Sequence, residues 1–150
     1  MSAGPAQPHA GWAAVDELAA LMAHYFDAEW LSPQPRPDHL IRRLSGRQRA
    51  RYAPLAARGG DVLFVVARSP EDLAMVQAIA NVRQRYQHIH AFITDSYFTA
   101  GYPAQTALFD SITVTAAEDR AHPMQRFGVR ADHLHQGVDG LRWAPPERGL

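Results

Sequence analysis

The sequence predicts an α/β domain: a three-layer, Rossmann-like arrangement with a mostly parallel sheet and helices on both faces. Three apolar runs of strand length support this fold class: residues 61–67 (DVLFVVA), 88–94 (HIHAFIT) and 111–115 (SITVT). A helix-length segment that opens with residues 69–72 (SPED) separates the first two runs. A strand, a helix and a second strand in succession are typical of parallel pairing in a sheet that is buried on both faces.

The other elements are predicted from helical periodicity and from turn and cap residues. Helices are expected over 11–27, 38–57, 70–86, 104–109 and 116–126, and short strands over 28–32 and 132–136. The helix over 70–86 has Ser69 as its cap and buries an apolar stripe formed by Leu73, Val76, Ile79, Ala80 and Val82. Residues 1–10 are expected to form a loop, residues 11–136 the domain, and residues 137–150 a Pro/Gly-rich tail that resembles an interdomain linker.

The composition excludes several function classes. The 150 residues contain no cysteine, so disulfides and thiolate metal sites are ruled out. All 15 basic residues are Arg, and the lack of Lys excludes a Walker-type phosphate loop and a pyridoxal Schiff base. No apolar stretch approaches the ~18 residues of a membrane span. Residues 1–12 have neither the basic head nor the apolar run of a secretory signal. We therefore expect a cytoplasmic protein.

The positive charge is concentrated in one segment, although the net charge of the chain is zero. Residues 36–58 hold seven Arg and a single acid, Asp38. Two interpretations remain open: a solvated helical face, or a surface that binds lipid phosphates or another anionic partner at the membrane periphery. The basic residues of that surface are Arg42, Arg43, Arg47, Arg49 and Arg51. Nucleic acid is not expected as a partner, since no aromatic stacking platform accompanies the Arg residues.

Polar residues follow each of the three predicted strands, at the position where ligands bind in open parallel sheets. Asp95 follows the strand over 88–94. Its carboxylate is our candidate catalytic group, because it can bind an acceptor hydroxyl or take its proton. The alternative is a loop carboxylate that caps a turn. Ser96 and Tyr97 come next in the chain and are candidate substrate-binding residues.

Arg68, Ser69 and Glu118 are further candidate substrate-binding residues. Arg68 can hold a phosphate through two hydrogen bonds. Ser69 is expected to act first as a helix cap, and the two roles are compatible because a helix N-terminus attracts anions. Glu118 is predicted to form a capping box with Thr115 and to contact a ligand only in second place. Asp119 is expected to be solvated.

The eight histidines include two pairs with strand spacing, His88 with His90 and His133 with His135. Alternation along a strand places each pair on one face, where two imidazoles and a third ligand such as His122 can hold zinc. Both pairs lie away from the edge of the sheet that ligands favour. We therefore expect no metal site and no cofactor.

Five segments of the chain resemble, in order and spacing, one family of enzymes. The segments are DVLFVVARSPEDLAMVQAI (61–79), AFITDSYF (91–98), LFDSITVTAAEDR (108–120), FGV (127–129) and HQGVDGLRW (135–143). Together they are similar to the N-terminal, acceptor-side domain of GT-B glycosyltransferases of the retaining, family-four-like kind, over about residues 11–145. Residues 136–139 (QGVD), with Trp143, resemble the Asn-Gly-Val-Asp turn of many members, where the chain crosses to the second domain.

The resemblance implies transfer of a sugar from a nucleotide-sugar donor to an acceptor hydroxyl, with the acceptor at the strand ends near Asp95. The family binds the donor in a second domain that is not part of this sequence, and its first strand and Gly-rich loop have no counterpart in residues 1–12. That strand is central in the family's sheet. Where many members have His-Asp at a strand end, this chain has Thr94-Asp95. We therefore expect the chain to be inactive alone.

The sequence leaves two alternatives to sugar transfer. The first alternative is a non-catalytic, stand-alone α/β module that binds a partner protein or a nucleotide. The second, a small hydrolase or reductase, is disfavoured by two missing motifs. The sequence has no Gly-x-Ser-x-Gly elbow and no Gly-x-Gly-x-x-Gly turn after a strand.

Overall fold

The computed structural model describes residues 13–34, 52–96 and 101–135. Its elements, in chain order, are helix α1 (Ala13–Tyr25), strand β1 (Gly60–Ala67), 3-10 helix η1 (Pro70–Ala78), helix α2 (Val82–Arg85), strand β2 (Tyr86–Ile93), 3-10 helix η2 (Ala104–Leu108), strand β3 (Ser111–Val114), 3-10 helix η3 (Ala117–Arg120), helix α3 (Ala121–Phe127) and strand β4 (Arg130–His133). The fold class is therefore α/β, as the sequence predicts.

The four strands form one sheet in which every neighbouring pair is parallel and the order is β1-β2-β3-β4. The strands predicted at 61–67, 88–94 and 111–115 are confirmed, with β2 beginning earlier, at Tyr86. The short strand expected over 132–136 is also present, but it begins at Arg130. The strand predicted over 28–32 is wrong. Those residues have no regular structure, and the Trp30 side chain is 44% exposed. A strand needs a neighbour for its backbone hydrogen bonds, and no described strand pairs with this segment.

One face of the sheet forms the core. Parallel strands in sequential order, joined by right-handed crossovers, carry all their connections on the same face. Side chains on this face alternate along the strands, and Ile89, Ala91 and Ile93 of β2 are fully buried, as are Ile112 and Val114 of β3. Leu73 and Val76 of η1 belong to the same core cluster. Burying one such aliphatic side chain stabilises the fold by about 1.5–3 kcal/mol.

The opposite face is more open in the described part of the chain. Val62 and Phe64 of β1 are 56% and 39% exposed, and His90 and Phe92 of β2 are half-buried. Helix α1 contacts β1. All-parallel sheets are normally covered on both faces, and in the described part of the chain this face is covered less than the core face.

The helix predicted over 70–86 is interrupted. Ile79 is extended and forms an isolated parallel bridge with Leu55, and Asn81 has φ 54°, a left-handed conformation. Asn adopts this conformation more readily than most residues that carry a side chain, and α2 starts directly after it. The predicted apolar stripe is buried except at Ala80, which is exposed.

The capping box predicted from Thr115 and Glu118 is wrong. Ala116 occupies the cap position of η3 without a side-chain cap bond, and Glu118 is exposed. The Thr115 hydroxyl instead donates to the Thr94 carbonyl, at 3.1 Å, because it faces the end of the neighbouring strand β2. Ser69 does precede η1 as predicted, but its side chain makes no cap bond either.

Several predicted features lie outside the described residues. They are the loop over 1–10, the 38–57 helix before residue 52, Tyr97, the tail over 137–150, and Arg42, Arg43, Arg47, Arg49 and Arg51. The described end of the 38–57 helix, residues 52–57, is not helical. Pro54 explains this departure, because proline has no N–H to donate and its ring clashes with the preceding turn of a helix.

Gly59 and Gly60 provide a matched pair that tests the turn into β1. Gly59 has φ +87°, and a Cβ there would lie 2.8 Å from the Arg85 carbonyl oxygen, whereas a Cβ at Gly60 meets nothing within 4 Å. We expect Gly59→Ala to lower the free energy of unfolding by at least about 1–2 kcal/mol, the cost of the left-handed conformation alone. Gly60→Ala should change it by less than about 1 kcal/mol. Urea denaturation followed by circular dichroism measures both, and equal midpoints would contradict this account of the turn.

Candidate functional site at the carboxyl edge of the sheet

The carboxyl ends of the four strands lie at one edge of the sheet, because the strands are parallel. At this edge the pairing of β1 with β2 continues beyond the strands. The Thr94 N–H donates to the Ala67 carbonyl at 2.9 Å, and the Asp95 N–H donates to the Arg68 carbonyl at 2.8 Å. Arg68 and Asp95 are therefore neighbours at this edge.

Arg68 is engaged by a neighbouring carboxylate. Its Nε donates to Asp72 Oδ2 at 3.2 Å, and its backbone N–H donates to the same oxygen at 3.3 Å. Asp72 lies in the first turn of η1, so this pair joins the end of β1 to the helix that follows. Asp72 offsets part of the guanidinium charge while the Arg68 side chain stays 46% exposed, and the phosphate-binding role stays a prediction. Ser69, between the two, is half-buried.

A buried hydrogen-bonded pair joins the end of β2 to η3. The Ser96 hydroxyl, fully buried, donates to Asp119 Oδ2 at 2.7 Å and accepts from the Ala116 N–H at 3.2 Å. Asp119 is only 5% exposed, so the prediction that it is solvated is wrong. A buried carboxylate is costly unless it is hydrogen-bonded. The Ser96 hydroxyl supplies that bond and fixes the position of Asp119.

Tyr102 and His122 bring two further polar groups to this pair. Their rings stack with centroids 5.1 Å apart, and Tyr102 is 3% exposed. Burial, and then the charge of nearby Asp119, raise the pKa of the Tyr102 hydroxyl above its ordinary value, so the group is protonated at neutral pH. Tyr102 OH, His122 Nε2 and Asp95 Oδ1 are all buried and have no hydrogen-bond partner among the described residues.

The charge at this edge is predominantly negative. Glu71 of η1 lies against Gly101, where a Cβ would come within 2.9 Å of its Cγ and would have to displace the Glu71 side chain. Asp95, Asp119 and Asp72 add further carboxylates, while the Arg68 guanidinium is paired with Asp72. The edge is therefore suited to a neutral, hydrogen-bonding ligand and unsuited to an anion.

The structure brings together only some of the residues predicted from the sequence. Ser96 is paired with Asp119, and Asp95 directly precedes Ser96 at the end of β2. Glu118 is exposed on η3, and Tyr97 lies outside the described residues. Sequence reasoning missed Tyr102 as a site residue. The loop that carries it has no strand or helix pattern, and only its packing against His122 of α3 places it there.

A separate apolar groove of about 910 Å3 runs between α1 and β1. It is lined by residues from both faces of β1, among them Leu63 and Phe64, and by Met22 and Phe26 of α1. Within the described ranges, no strand pairs with the β1 edge that borders this groove. Backbone groups of an edge strand are a template for pairing with a further segment.

Two further findings concern metals and membranes. In the described ranges, no three His, Asp or Glu side chains are grouped so as to hold a metal ion. None of the helices described has the length and apolarity to span a bilayer.

Comparison with known proteins returned no match at the level of protein-family models, curated sequences or solved structures. The function therefore has to be argued from this chain's own residues.

Ser96→Ala tests the buried pair at this edge. The substitution leaves the Asp119 carboxylate and the Ala116 N–H buried without the hydroxyl that joins them. We expect the free energy of unfolding to fall by about 1–3 kcal/mol. Ser32→Ala, at an exposed loop serine, is the matched control and should change it by less than about 0.5 kcal/mol. If urea denatures both variants at the same concentration, the Ser96–Asp119 pair is not formed in solution.

Proposed function

We propose that this chain is the acceptor-binding half of a sugar-transferring enzyme and that it holds a neutral, hydroxyl-bearing acceptor at the carboxyl edge of its sheet. The supporting observation is the polar cluster of Asp95, Ser96, Tyr102, Asp119 and His122. Three buried polar atoms of this cluster, on Asp95, Tyr102 and His122, have no hydrogen-bond partner in the described part of the chain.

The chemistry of these atoms favours a polyol over an anion. The Asp95 carboxylate only accepts hydrogen bonds, the Tyr102 hydroxyl donates and accepts, and the His122 nitrogen does one or the other according to its tautomer. A sugar hydroxyl can both donate and accept, so hydroxyl groups are able to pair with each of these atoms. A phosphate offers acceptors alone and meets the charges of Asp95 and Asp119. A buried polar group without a partner costs about 1–3 kcal/mol, so binding such an acceptor recovers that cost.

The residues of the cluster have distinct roles in this proposal. Asp95 binds the reacting hydroxyl or takes its proton. Tyr102 and His122 hydrogen-bond neighbouring hydroxyls and orient the acceptor. Ser96 and Asp119 fix the loop that carries Asp95. In this proposal the carboxyl edge binds only the acceptor, and the nucleotide-sugar is bound elsewhere.

Nuclear magnetic resonance on the isotope-labelled chain tests acceptor binding. We expect methyl glycosides or inositol, at millimolar concentrations, to shift the amide signals of residues 94–96 and 116–122. UDP-glucose should not shift them, because its phosphates are repelled at this edge. Asp95→Ala should lower the affinity for the acceptor about tenfold or more, since a hydrogen bond to a charged group contributes about 1.5–3 kcal/mol.

Asp61→Asn is the matched control for Asp95→Ala, because Asp61 is an exposed carboxylate near the opposite end of β1. It should leave acceptor binding unchanged. Equal affinities of Asp95→Ala and the parent would remove Asp95 from the site. Absence of any shift with every hydroxylated probe would overturn acceptor binding altogether.

The apolar groove favours a second candidate function, a non-catalytic module that binds an extended segment of a partner protein. The edge of β1 has no partner strand among residues 13–34, 52–96 and 101–135, and its backbone groups can bond an added strand, whose apolar side chains the groove accommodates on both faces. Such an added strand would convert β1 from an edge strand into an interior one.

A pair of octapeptides of alternating Val and Thr tests this second function. The unmodified peptide should slow amide exchange over residues 61–66, because it adds a strand to β1. The same peptide with every second amide N-methylated cannot complete the ladder of hydrogen bonds and should give no protection. Equal effects of the two peptides, or no effect of either, would exclude strand addition at this edge.

A further inference from the structure

A second polar network lies on the half-exposed face of the sheet, away from the carboxyl edge. Ser111 of β3 is paired in register with His90 of β2, and its Oγ lies between two imidazoles. His88 Nε2 is 3.1 Å from that oxygen and His90 Nδ1 is 2.7 Å from it. On its other side, His88 places Nδ1 3.6 Å from Asp110 Oδ2. The order carboxylate, imidazole, hydroxyl therefore occurs across two neighbouring strands.

Asp110 is held in place by two donors. The Arg83 guanidinium donates to its Oδ2 at 2.6 Å and the Ile89 N–H donates to the same oxygen at 2.7 Å. The hydrogen bond from Arg83 lowers the pKa of Asp110, so the carboxylate is ionised at neutral pH. An ionised Asp110 favours the His88 tautomer that carries its proton on Nδ1, and His88 Nε2 is then an acceptor.

The remaining hydrogen bonds follow from that tautomer. The Ser111 hydroxyl donates to His88 Nε2, so its oxygen accepts from the His90 Nδ1–H. His90 Nε2, 3.2 Å from Thr113 Oγ1, then accepts from the threonine hydroxyl. Burial, and then the charge of His88, lower the pKa of His90, which keeps this ring neutral. Each group of the network has one consistent role, and these roles polarise the Ser111 hydroxyl towards His88.

We propose that Ser111 is a reactive nucleophile, with His88 as its base and Asp110 as the group that orients the base, and that it accepts acyl and phosphonyl groups from uncharged esters. A hydroxyl, an imidazole within hydrogen-bond reach and a third group beyond it are the arrangement that activates a serine. The 3.6 Å separation between His88 and Asp110 is long for a hydrogen bond, but such contacts are often long before substrate binds.

The surroundings of Ser111 supply the other parts of such a site. Arg130 of β4 is paired in register with Ser111, its side chain is 75% exposed, and it donates to Asp132 at 3.0 Å. It can also donate to the oxygen that becomes negative in the reaction. On the far side of β2, exposed Val62 and Phe64 form an apolar shelf for an acyl chain. Ser111 itself is 8% exposed, and reagents reach it past the half-exposed His88.

Besides the ester, water is the only reactant that this reaction needs. The Ser111 oxygen bonds to the carbonyl carbon of the ester, and its proton passes to His88 Nε2. The bond from that carbon to the alcohol oxygen breaks, and the alcohol leaves with the proton. Water then attacks the acyl carbon, gives its proton to His88 and releases the carboxylic acid, while Ser111 regains its proton. With a fluorophosphonate, the serine oxygen bonds to phosphorus, its proton passes to His88 Nε2, the phosphorus–fluorine bond breaks with release of fluoride, and the adduct remains.

Labelling of the full chain with a fluorophosphonate, followed by peptide mass spectrometry, tests the proposal. Ser32 in the exposed loop serves as an internal reference, because it sees the same reagent and no hydrogen bond joins it to an imidazole of the described residues. We expect Ser111 to be labelled at least about 10²-fold faster than Ser32, the gain that a positioned base typically provides. His88→Gln should remove most of this difference. Arg130→Gln should reduce labelling of Ser111 by a smaller factor.

His88→Gln keeps the test valid if substitution of Ser111 itself disturbs the fold, since the His88 side chain is 49% exposed and outside the core. Its circular dichroism spectrum should match that of the parent chain. Labelling of Ser111 at the rate of Ser32 would overturn the proposal. Rapid labelling that is unchanged in His88→Gln would also overturn it, because His88 would then not act as the base that activates the Ser111 hydroxyl.

Discussion

The burial of one face of the sheet is the constraint on which the rest of this structure depends. Ile89, Ile93, Ile112 and Val114 have no exposed surface, and η1 covers them with Leu73. Sequential parallel strands place every connection on that face, so these side chains fix which way each strand presents its alternate residues. A slip of one residue in β2 would replace Ile89 by a histidine in the core. That exchange is prohibitively costly, so the register is set by packing.

Both polar sites follow from this one register. On β2, His88 and His90 alternate with the buried Ile89 and Ala91, so they are directed at the opposite face, next to Ser111. The end of the same strand carries Asp95 and Ser96 to the carboxyl edge. The core therefore acts as a rigid support for two groups of polar residues, one across the sheet and one along its edge. Sites carried by rigid elements hold their geometry better than sites built on loops alone.

The two sites differ in charge, and this difference sets the ligands that each can accept. At the carboxyl edge, the carboxylates of Glu71, Asp95 and Asp119 outweigh the Arg68 guanidinium, which is tied to Asp72. This charge is the reason for proposing a neutral hydroxylated ligand there. On the open face, Asp110 is neutralised by Arg83, and Arg130 remains largely exposed beside Ser111. That face tolerates an oxygen that becomes negative during a reaction.

The sequence by itself determined the four strands of the sheet and their parallel direction, although it also predicted a strand over 28–32 that the structure does not have. Strand-length stretches of Val, Ile and Phe have few other ways to be buried. It also placed Asp95 and Ser96 directly after a buried strand, which was enough to find part of the candidate site. It wrongly predicted that Thr115 caps a helix, that Asp119 is solvated and that the helix over 70–86 is continuous. Each of these depends on a contact between segments distant along the chain.

Only the tertiary structure decided those points. Asp119 is buried because Ser96, 23 residues earlier in the chain, donates to it, and Thr115 turns to the carbonyl of Thr94 on the neighbouring strand. Tyr102 joins the site through its stacking on His122. Local patterns record which residues prefer to be buried or extended. They do not record which polar group meets which, because hydrogen bonds between strands and loops form only once the core has set their spacing.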